Sequence, residues 1–163
     1  MISKDGETTV LAAQRTQKIG DDIGVIAFVQ NSPLFRGVSE QWFTRLIDAA
    51  TVEDWASTHI VENKGSSVDQ LGLIFDGSIS LVEQSGVELA HLERQGLFGE
   101  SVVLTRQPLP WSIVARTDSR VIRFPGELVR ELAEAVPSTG KLLAMLMAAR
   151  LKELEKQTSR TSL

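Results

Sequence analysis

Two glycines flank a bulky apolar pair, with an acid directly behind, in Gly96-Leu97-Phe98-Gly99-Glu100-Ser101-Val102-Val103-Leu104, and Ser112-Ile113-Val114-Ala115 follows shortly after. This is the stretch of the chain best suited to hold a ligand. Glycine reaches the positive φ angles of a tight turn and lets a ligand approach the backbone. A helix started by such a turn presents unpaired N–H groups with the positive end of its dipole behind them. The chemistry on offer is the holding of an anion by backbone N–H groups, with the Glu100 carboxylate placed to accept hydrogen bonds from ligand hydroxyls.

Other chemistries find no support. His59 and His91 stand far apart in sequence, each inside a strand candidate, whereas a metal site on a β-sheet core needs several ligands together. The chain has no cysteine and no tyrosine, which excludes thiol catalysis and a disulfide framework. Neither a Gly-x-Ser-x-Gly elbow nor a Walker phosphate loop occurs, so no enzyme is expected. The net charge of −4 comes without a basic stripe, and nucleic-acid binding is not expected. A composition of 42% hydrophobic and 23% charged residues over 163 positions fits one folded domain with helical appendages. No apolar run approaches a membrane span, and MISKDGETTV lacks the apolar core of a secretory signal. A cytoplasmic location is the expectation.

The elements that must position the glycine-rich stretch can be placed in order. Val10 to Lys18 favours a short helix, ended by Gly20-Asp21-Asp22. Ile23 to Val29 has the β-branched content of a strand, yet its place before Asn31-Ser32-Pro33 equally fits a helix, and helix is the expectation. Ser39 is a good N-cap, Glu40 lies where a first turn favours negative charge, and Phe43, Leu46, Ile47 and Ala50 follow at helical spacing.

From about Val52 to Phe124 short strands alternate with Gly, Asn, Asp and Ser, the pattern of an antiparallel sandwich or barrel. The candidates are Val52–Trp55, His59–Glu62, Leu71–Phe75, Ser78–Val82, Val87–Leu92, Trp111–Arg116 and Arg120–Phe124, with hairpin turns at Asp76-Gly77 and Ser85-Gly86. Helix returns over Glu127–Ala135 and breaks at Val136-Pro137. A last helix, capped by Ser138 or Thr139, runs to about Lys156, and Thr158–Leu163 is a polar tail. Ala144, Met147, Leu151 and Leu154 lie along one side of that helix, with Leu142, Leu146 and Ala149 roughly opposite. One side can cover the β-domain while the other meets a partner.

Several of these features together resemble the cyclic nucleotide-binding domain family, the module of cAMP receptor proteins and kinase regulatory subunits. Gly65 and Gly77 match the paired β-roll glycines, Pro33-Leu34-Phe35 with Ser39 matches the helical lead-in, and Phe98-Gly99-Glu100 matches the opening of the phosphate-binding cassette. Val102, Val103 and Leu104 fit the apolar positions of its small helix. Pro108 fits the proline before the cassette arginine, Ser112 falls where threonine is common, and Ala115 closes the motif. The resemblance implies an α+β fold: an antiparallel β-roll (a double-stranded β-helix or jelly roll) with N-terminal helices and a long C-terminal helix. It divides the chain into an N-terminal extension with short helices (1–32), the nucleotide-binding-like domain (33–136) and a C-terminal dimerisation or partner helix with its tail (137–163).

The resemblance also assigns a site of Phe98, Gly99, Glu100, Ser101, Leu109, Trp111 and Ser112, in which Glu100 would bind a ribose hydroxyl. The family's phosphate-binding arginine is here Leu109, followed by Pro110 and Trp111, and Gly72 stands where an aromatic residue is common. An arginine pairs with a phosphate through a charged, fork-shaped set of donors, and its loss costs about 1.5–3 kcal/mol, roughly ten- to hundredfold in affinity. Arg94, Arg106 and Arg116 are the nearby cations, each expected to be a solvated surface residue. Trp111 is expected to plug the pocket rather than stack on a ligand. The expected function is a non-catalytic regulatory module with weak or absent cAMP binding that signals or assembles through its last helix, as a homodimer or with a protein partner. The alternatives are a ligand-independent dimeric adaptor, or a sensor of another ligand such as a cyclic dinucleotide. A DNA-reading helix-turn-helix after the last helix is not expected from this sequence, and neither is DNA binding.

Overall fold

Short strands with one apolar face must bury that face against another layer, and here they do so in two antiparallel sheets flanked by helices. The structure is a computed structural model that describes residues 15–161. In chain order the elements are β1 (Arg15–Lys18), α1 (Ile23–Gln30), a 3₁₀ turn (Pro33–Phe35), α2 (Glu40–Ala49), β2 (Thr51–Trp55), β3 (Ile60–Glu62), β4 (Gln70–Asp76), β5 (Ile79–Val82), β6 (Glu88–Leu92), β7 (Leu97–Phe98), α3 (Glu100–Thr105), β8 (Ser112–Ala115), β9 (Ser119–Pro125), α4 (Gly126–Ala135) and α5 (Pro137–Thr161). One sheet has the order β1-β2-β9-β4-β7 and the other β3-β8-β5-β6. This is the expected α+β arrangement, an antiparallel β-roll with helices before it and a long helix after it.

The alternation along β9 organises two cores. Ile122 and Phe124 face the helices, where they join Phe35, Leu46, Val129, Leu132 and Leu143. Val121 faces the space between the sheets, with Trp55, Ile74, Ile79, Leu81, Phe98, Trp111 and Ile113. The helices α1 and α2 form as their caps dictate: the Asp22 carboxylate accepts from Val25 N at 3.1 Å and the Ser39 hydroxyl from Trp42 N at 3.3 Å. Helix therefore wins over strand for Ile23 to Val29.

Three expectations need correction. Arg15–Lys18 is a strand, not the end of a helix: it pairs with β2, from Arg15 opposite Asp54 to Lys18 opposite Thr51. Pairing satisfies the open backbone edge of β2, and the Lys18 ammonium donates to the Asp48 carbonyl at 3.1 Å; weak local helix propensity yields to these contacts. The N-terminal extension thus holds one strand and one helix among its described residues, and the part of the expected helix from Val10 to Gln14 lies outside the described residues. The last helix begins at Pro137 and continues through Thr161, so it includes much of the expected tail. Proline suits the first helical position, where its missing N–H is not needed. Thr139 is therefore inside the first turn rather than capping it, and its hydroxyl donates to the Leu34 carbonyl at 3.2 Å.

The faces of α5 also differ from the expected ones. Leu143, Arg150 and the half-buried Leu146 and Leu154 turn toward the domain, while Ala144, Met145, Ala148, Ala149 and Leu151 are exposed. The expected pairing of Ala144 and Leu151 with Leu154 on one side is split between the two faces. α5 packs on α4, α3 and β6.

Candidate functional site

The short strand β7 lays Phe98 beside Gly72 of β4, its register partner. A Cβ at Gly72 would stand 2.2 Å from the Phe98 ring, so the ring fills the space that the missing side chain leaves. Gly99 follows in the left-handed region, at φ 87° and ψ 1°, and starts α3. A side chain there would meet the Gln70 carbonyl oxygen at 2.5 Å, so backbone conformation and close packing both require glycine.

α3 then delivers Glu100 into the interior, where it is 0% exposed. Its Oε1 accepts from Arg150 Nη1 of α5 at 2.5 Å, and Arg150 is itself only 7% exposed. Among the described residues no hydrogen bond reaches Glu100 Oε2. Burial pushes the Glu100 carboxyl above its usual range, against the opposing pull of the Arg150 charge. Ser101 is buried, and its carbonyl accepts from the Thr105 hydroxyl at 2.7 Å.

The loop after α3 is sewn to residues 63–68 by two backbone bonds, Leu109 N to Ser66 O at 2.8 Å and Gly65 N to Leu109 O at 2.7 Å. Leu109 is 2% exposed and Trp111 1% exposed, both in the cluster that contains Phe98 and Val102 and against which Leu154 of α5 packs. No hydrogen bond among the described residues reaches the Trp111 indole nitrogen. Ser112 is half-buried and its hydroxyl accepts from Lys64 N at 3.0 Å. The seven residues of the expected site thus lie along β7, α3, the loop that follows it and the start of β8, with Phe98, Leu109 and Trp111 packed in one apolar cluster.

None of the three arginines weighed in the sequence pairs with Glu100. Arg94 donates to the Phe75 carbonyl at 2.8 Å and lies over the Phe28 and Phe75 rings. Arg106 is exposed, and Arg116 donates from Nε to the Ser80 hydroxyl at 3.0 Å. Two other arginines take the interior positions. Arg150 was hidden in a helix read only for its apolar residues, although its spacing from Leu143, Leu146 and Leu154 places it on the inward face. Arg123 sits at an inward position of β9, beside Val121 in the alternation. It is buried, 3.3 Å from Glu62 Oε2, with its guanidinium 5.1 Å from the Phe98 ring centroid. A third arginine, Arg130 of α4, pairs with both Asp69 carboxylate oxygens at 2.8 and 2.9 Å and donates to the Val103 carbonyl of α3 at 3.1 Å. The hydrogen bond from Arg130 holds the Asp69 carboxyl below its ordinary range.

His59 and His91 are not brought together: His59 Nδ1 lies 3.4 Å from the Ser57 carbonyl, while exposed His91 lies near Glu88 and Glu93. Among the described residues no group of three or more His, Cys, Asp or Glu is placed to hold a metal ion, and no helix is long and apolar enough to cross a membrane.

The same fold occurs in several solved structures. The cAMP-bound PfPKA-R has a TM-score of 0.72 and 14% identity, over 82% of this chain and 46% of that one. The regulatory subunit of a cAMP-independent protein kinase A from Trypanosoma brucei has a TM-score of 0.68 and 17% identity, over 84% and 48%. The catabolite activator protein of Thermus thermophilus has a TM-score of 0.62 and 26% identity, over 80% and 63%. In sequence, the potassium channel KOR1 of Oryza sativa subsp. japonica is 24% identical over 138 residues, which is 78% of this chain and 16% of the channel. The chain spans less than two thirds of the length of each of these relatives. Residues 53–135, running from β2 through α3 to the end of α4, match the family model of the cyclic nucleotide-binding domain, and the chain belongs to that family.

Proposed function

We propose that this chain is a non-catalytic regulatory module whose nucleotide cassette is closed by its own side chains, so that ordinary cAMP binds weakly or not at all. The observation that carries this reading is the burial of Leu109, where the family's arginine is expected, together with Trp111 in the cluster around Phe98 and Val102. A phosphate brought to this wall would lack a charge-assisted partner and would have to displace packed apolar groups. Phe98, Gly99, Glu100, Ser101 and Ser112 keep the outline of the cassette, and α5 carries the output.

Titration calorimetry with cAMP, cGMP and cyclic di-GMP tests the reading. No binding tighter than millimolar is expected for the natural chain, and micromolar binding of any of the three rules the closed cassette out. A Leu109→Arg variant belongs in the same titration: gain of cAMP binding marks a scaffold that has lost only its cation, and silence marks Trp111 and Arg150 as further obstacles.

A second part of the proposal concerns assembly. Met145 is 62% exposed on α5, with Ala144, Ala148 and Leu151 also on the outward face. Such a stripe of small and apolar residues suits a helix–helix contact, and a second copy of the chain is the proposed occupant. Sedimentation velocity is expected to give a dimer that a Met145→Glu, Leu151→Glu double variant converts to monomer; a natural chain that stays monomeric at tens of micromolar removes the homodimer and leaves a different protein as the partner.

A further inference from the structure

Arg123, Gly72 and Phe98 stand side by side across one sheet, Arg123 opposite Gly72 and Gly72 opposite Phe98. Gly72 carries no side chain, so the Phe98 ring lies over it and meets the Arg123 guanidinium, 5.1 Å from the ring centroid. Arg123 is 2% exposed, and among the described residues its guanidinium makes one hydrogen bond, from Nη2 to Glu62 Oε2 at 3.3 Å. Nη1 lies 3.9 Å from Glu53, whose carboxylate already accepts from the Trp55 indole at 3.0 Å. The other oxygen of Glu62 accepts from the Ser66 hydroxyl at 2.9 Å, and the Ser66 carbonyl accepts from Leu109 N. Gly65, one residue back, donates to the Leu109 carbonyl. An unbroken run of polar contacts thus leads from β9 in the core to the loop that carries Leu109 and Trp111.

We propose that Arg123 is the positioning residue of the closed cassette: through Glu62 and Ser66 it holds shut the loop that carries Leu109, and its guanidinium backs the Phe98 ring in the same apolar cluster. This role rests on the reading of the cassette as closed, and it adds what keeps the cassette closed. A buried charge costs free energy unless a partner and hydrogen bonds compensate, so the guanidinium draws Glu62 inward and fixes its carboxylate. With one oxygen fixed the other is fixed too, and Ser66 meets it from a turn that its own N–H closes on the Asn63 carbonyl at 3.0 Å. Residues 63–65 are exposed, and Gly65 is in the left-handed region at φ 91°. Little side-chain packing therefore holds this turn, and its polar contacts place it. While the turn is held, Leu109 and Trp111 stay in the cluster. A ligand enters only after the Arg123–Glu62 pair lets residues 63–66 move.

Amide hydrogen exchange, read residue by residue by NMR without nucleotide, tests this role on the natural chain, Arg123→Met, Ser66→Ala and the double variant. Each single variant is expected to speed exchange of the Leu109 and Gly65 amides at least tenfold, while the β5 amides keep their protection. The double variant is expected to exchange no more than twofold faster than the more open single one, because both substitutions cut the same relay. An arginine that only fills the core would leave the two effects multiplicative. Less than a tenfold rise at Leu109 in Arg123→Met overturns the proposal, and so does a double variant beyond the twofold limit. If Arg123→Met strips protection from β5 as well, Arg123→Met combined with Glu62→Met decides alone, since it leaves neither charge of the pair stranded. Opening confined to Leu109 and Gly65 then supports the role, whereas unchanged exchange there, or a loss shared with β5, overturns it. A chain that proves to bind cAMP tightly defeats the closed cassette in the titration, and the exchange without nucleotide judges Arg123 separately.

Discussion

Replacing Trp111 by alanine is expected to destabilise the fold by about 3–5 kcal/mol, the usual loss on truncating a buried large aromatic residue. Trp111 is 1% exposed and is the largest of the fully buried side chains in the described structure. Its neighbours come from both sheets, so the cavity cannot close by the shift of one loop. The loop that carries it is also fixed, through the two backbone bonds at Leu109. The indole N–H reaches no partner among the described residues, so packing accounts for the residue's whole favourable contribution and the buried N–H subtracts from it. Trp111→Phe keeps a ring and deletes that N–H, and is expected to lose much less. Guanidinium denaturation followed by circular dichroism measures both. A loss below about 1 kcal/mol for Trp111→Ala would show that the residue is not a plug, given the spread of core truncations.

The second large effect is expected at Gly99. An L-residue in the left-handed region costs about 1–2 kcal/mol, and overpacking a well-filled site adds about 1–3 kcal/mol. Gly99→Ala combines both, because the added methyl meets a backbone oxygen of β4 rather than a flexible side-chain end. A total loss of about 2–5 kcal/mol is therefore expected on these two terms. Gly86 is the control: its φ is 98° but an added Cβ there meets nothing within 4 Å. Gly86→Ala is expected to show the conformational cost alone, and equal losses in the two variants sink the close-packing argument. Any shift of α3 in Gly99→Ala also moves Glu100 relative to Arg150, so its α5 amides are expected to exchange faster.

The sequence made the β-roll legible because glycines and short polar turns punctuate it at regular spacing. Asp76-Gly77 and Ser85-Gly86 set hairpins between strands whose apolar residues already alternate. β7 escaped because two residues carry no alternation, and β1 escaped because its pairing with β2 is a tertiary event that the local residues Arg15 to Lys18 do not announce. The N-cap residue Ser39 placed α2 well, whereas the cap that Asp22 gives α1 was read only as punctuation after a preceding helix. Pro137 misled in the opposite sense: it separates α4 from α5, but it also opens α5 rather than delaying it.

At the site, the loss of the cassette arginine was plain at Leu109, and the bulk of Trp111 pointed to a plug. What could not be read was the partner of Glu100. A charge at residue 150 has no local pattern that ties it to residue 100; only the packing of α5 on α3 brings the two together. Arg123 had a signal, a charge within the apolar run Val121-Ile122-Arg123-Phe124, but its partners Glu62 and Glu53 belong to other strands and emerge only once the roll is closed.

The uninterrupted course of α5 from Pro137 to Thr161 has a mechanical consequence. At 1.5 Å per residue, Arg150 lies about 20 Å along the axis from Pro137 and Thr161 about 36 Å. A tilt of about 10° at Val136 would carry Arg150 roughly 3.4 Å and the far end roughly 6 Å, by the same helical rise. The first displacement exceeds what a hydrogen bond tolerates, while the second is about one helical turn. A lever of this length converts the loss of one contact near its middle into a displacement at its tip large enough to change which residues of a neighbouring chain it meets.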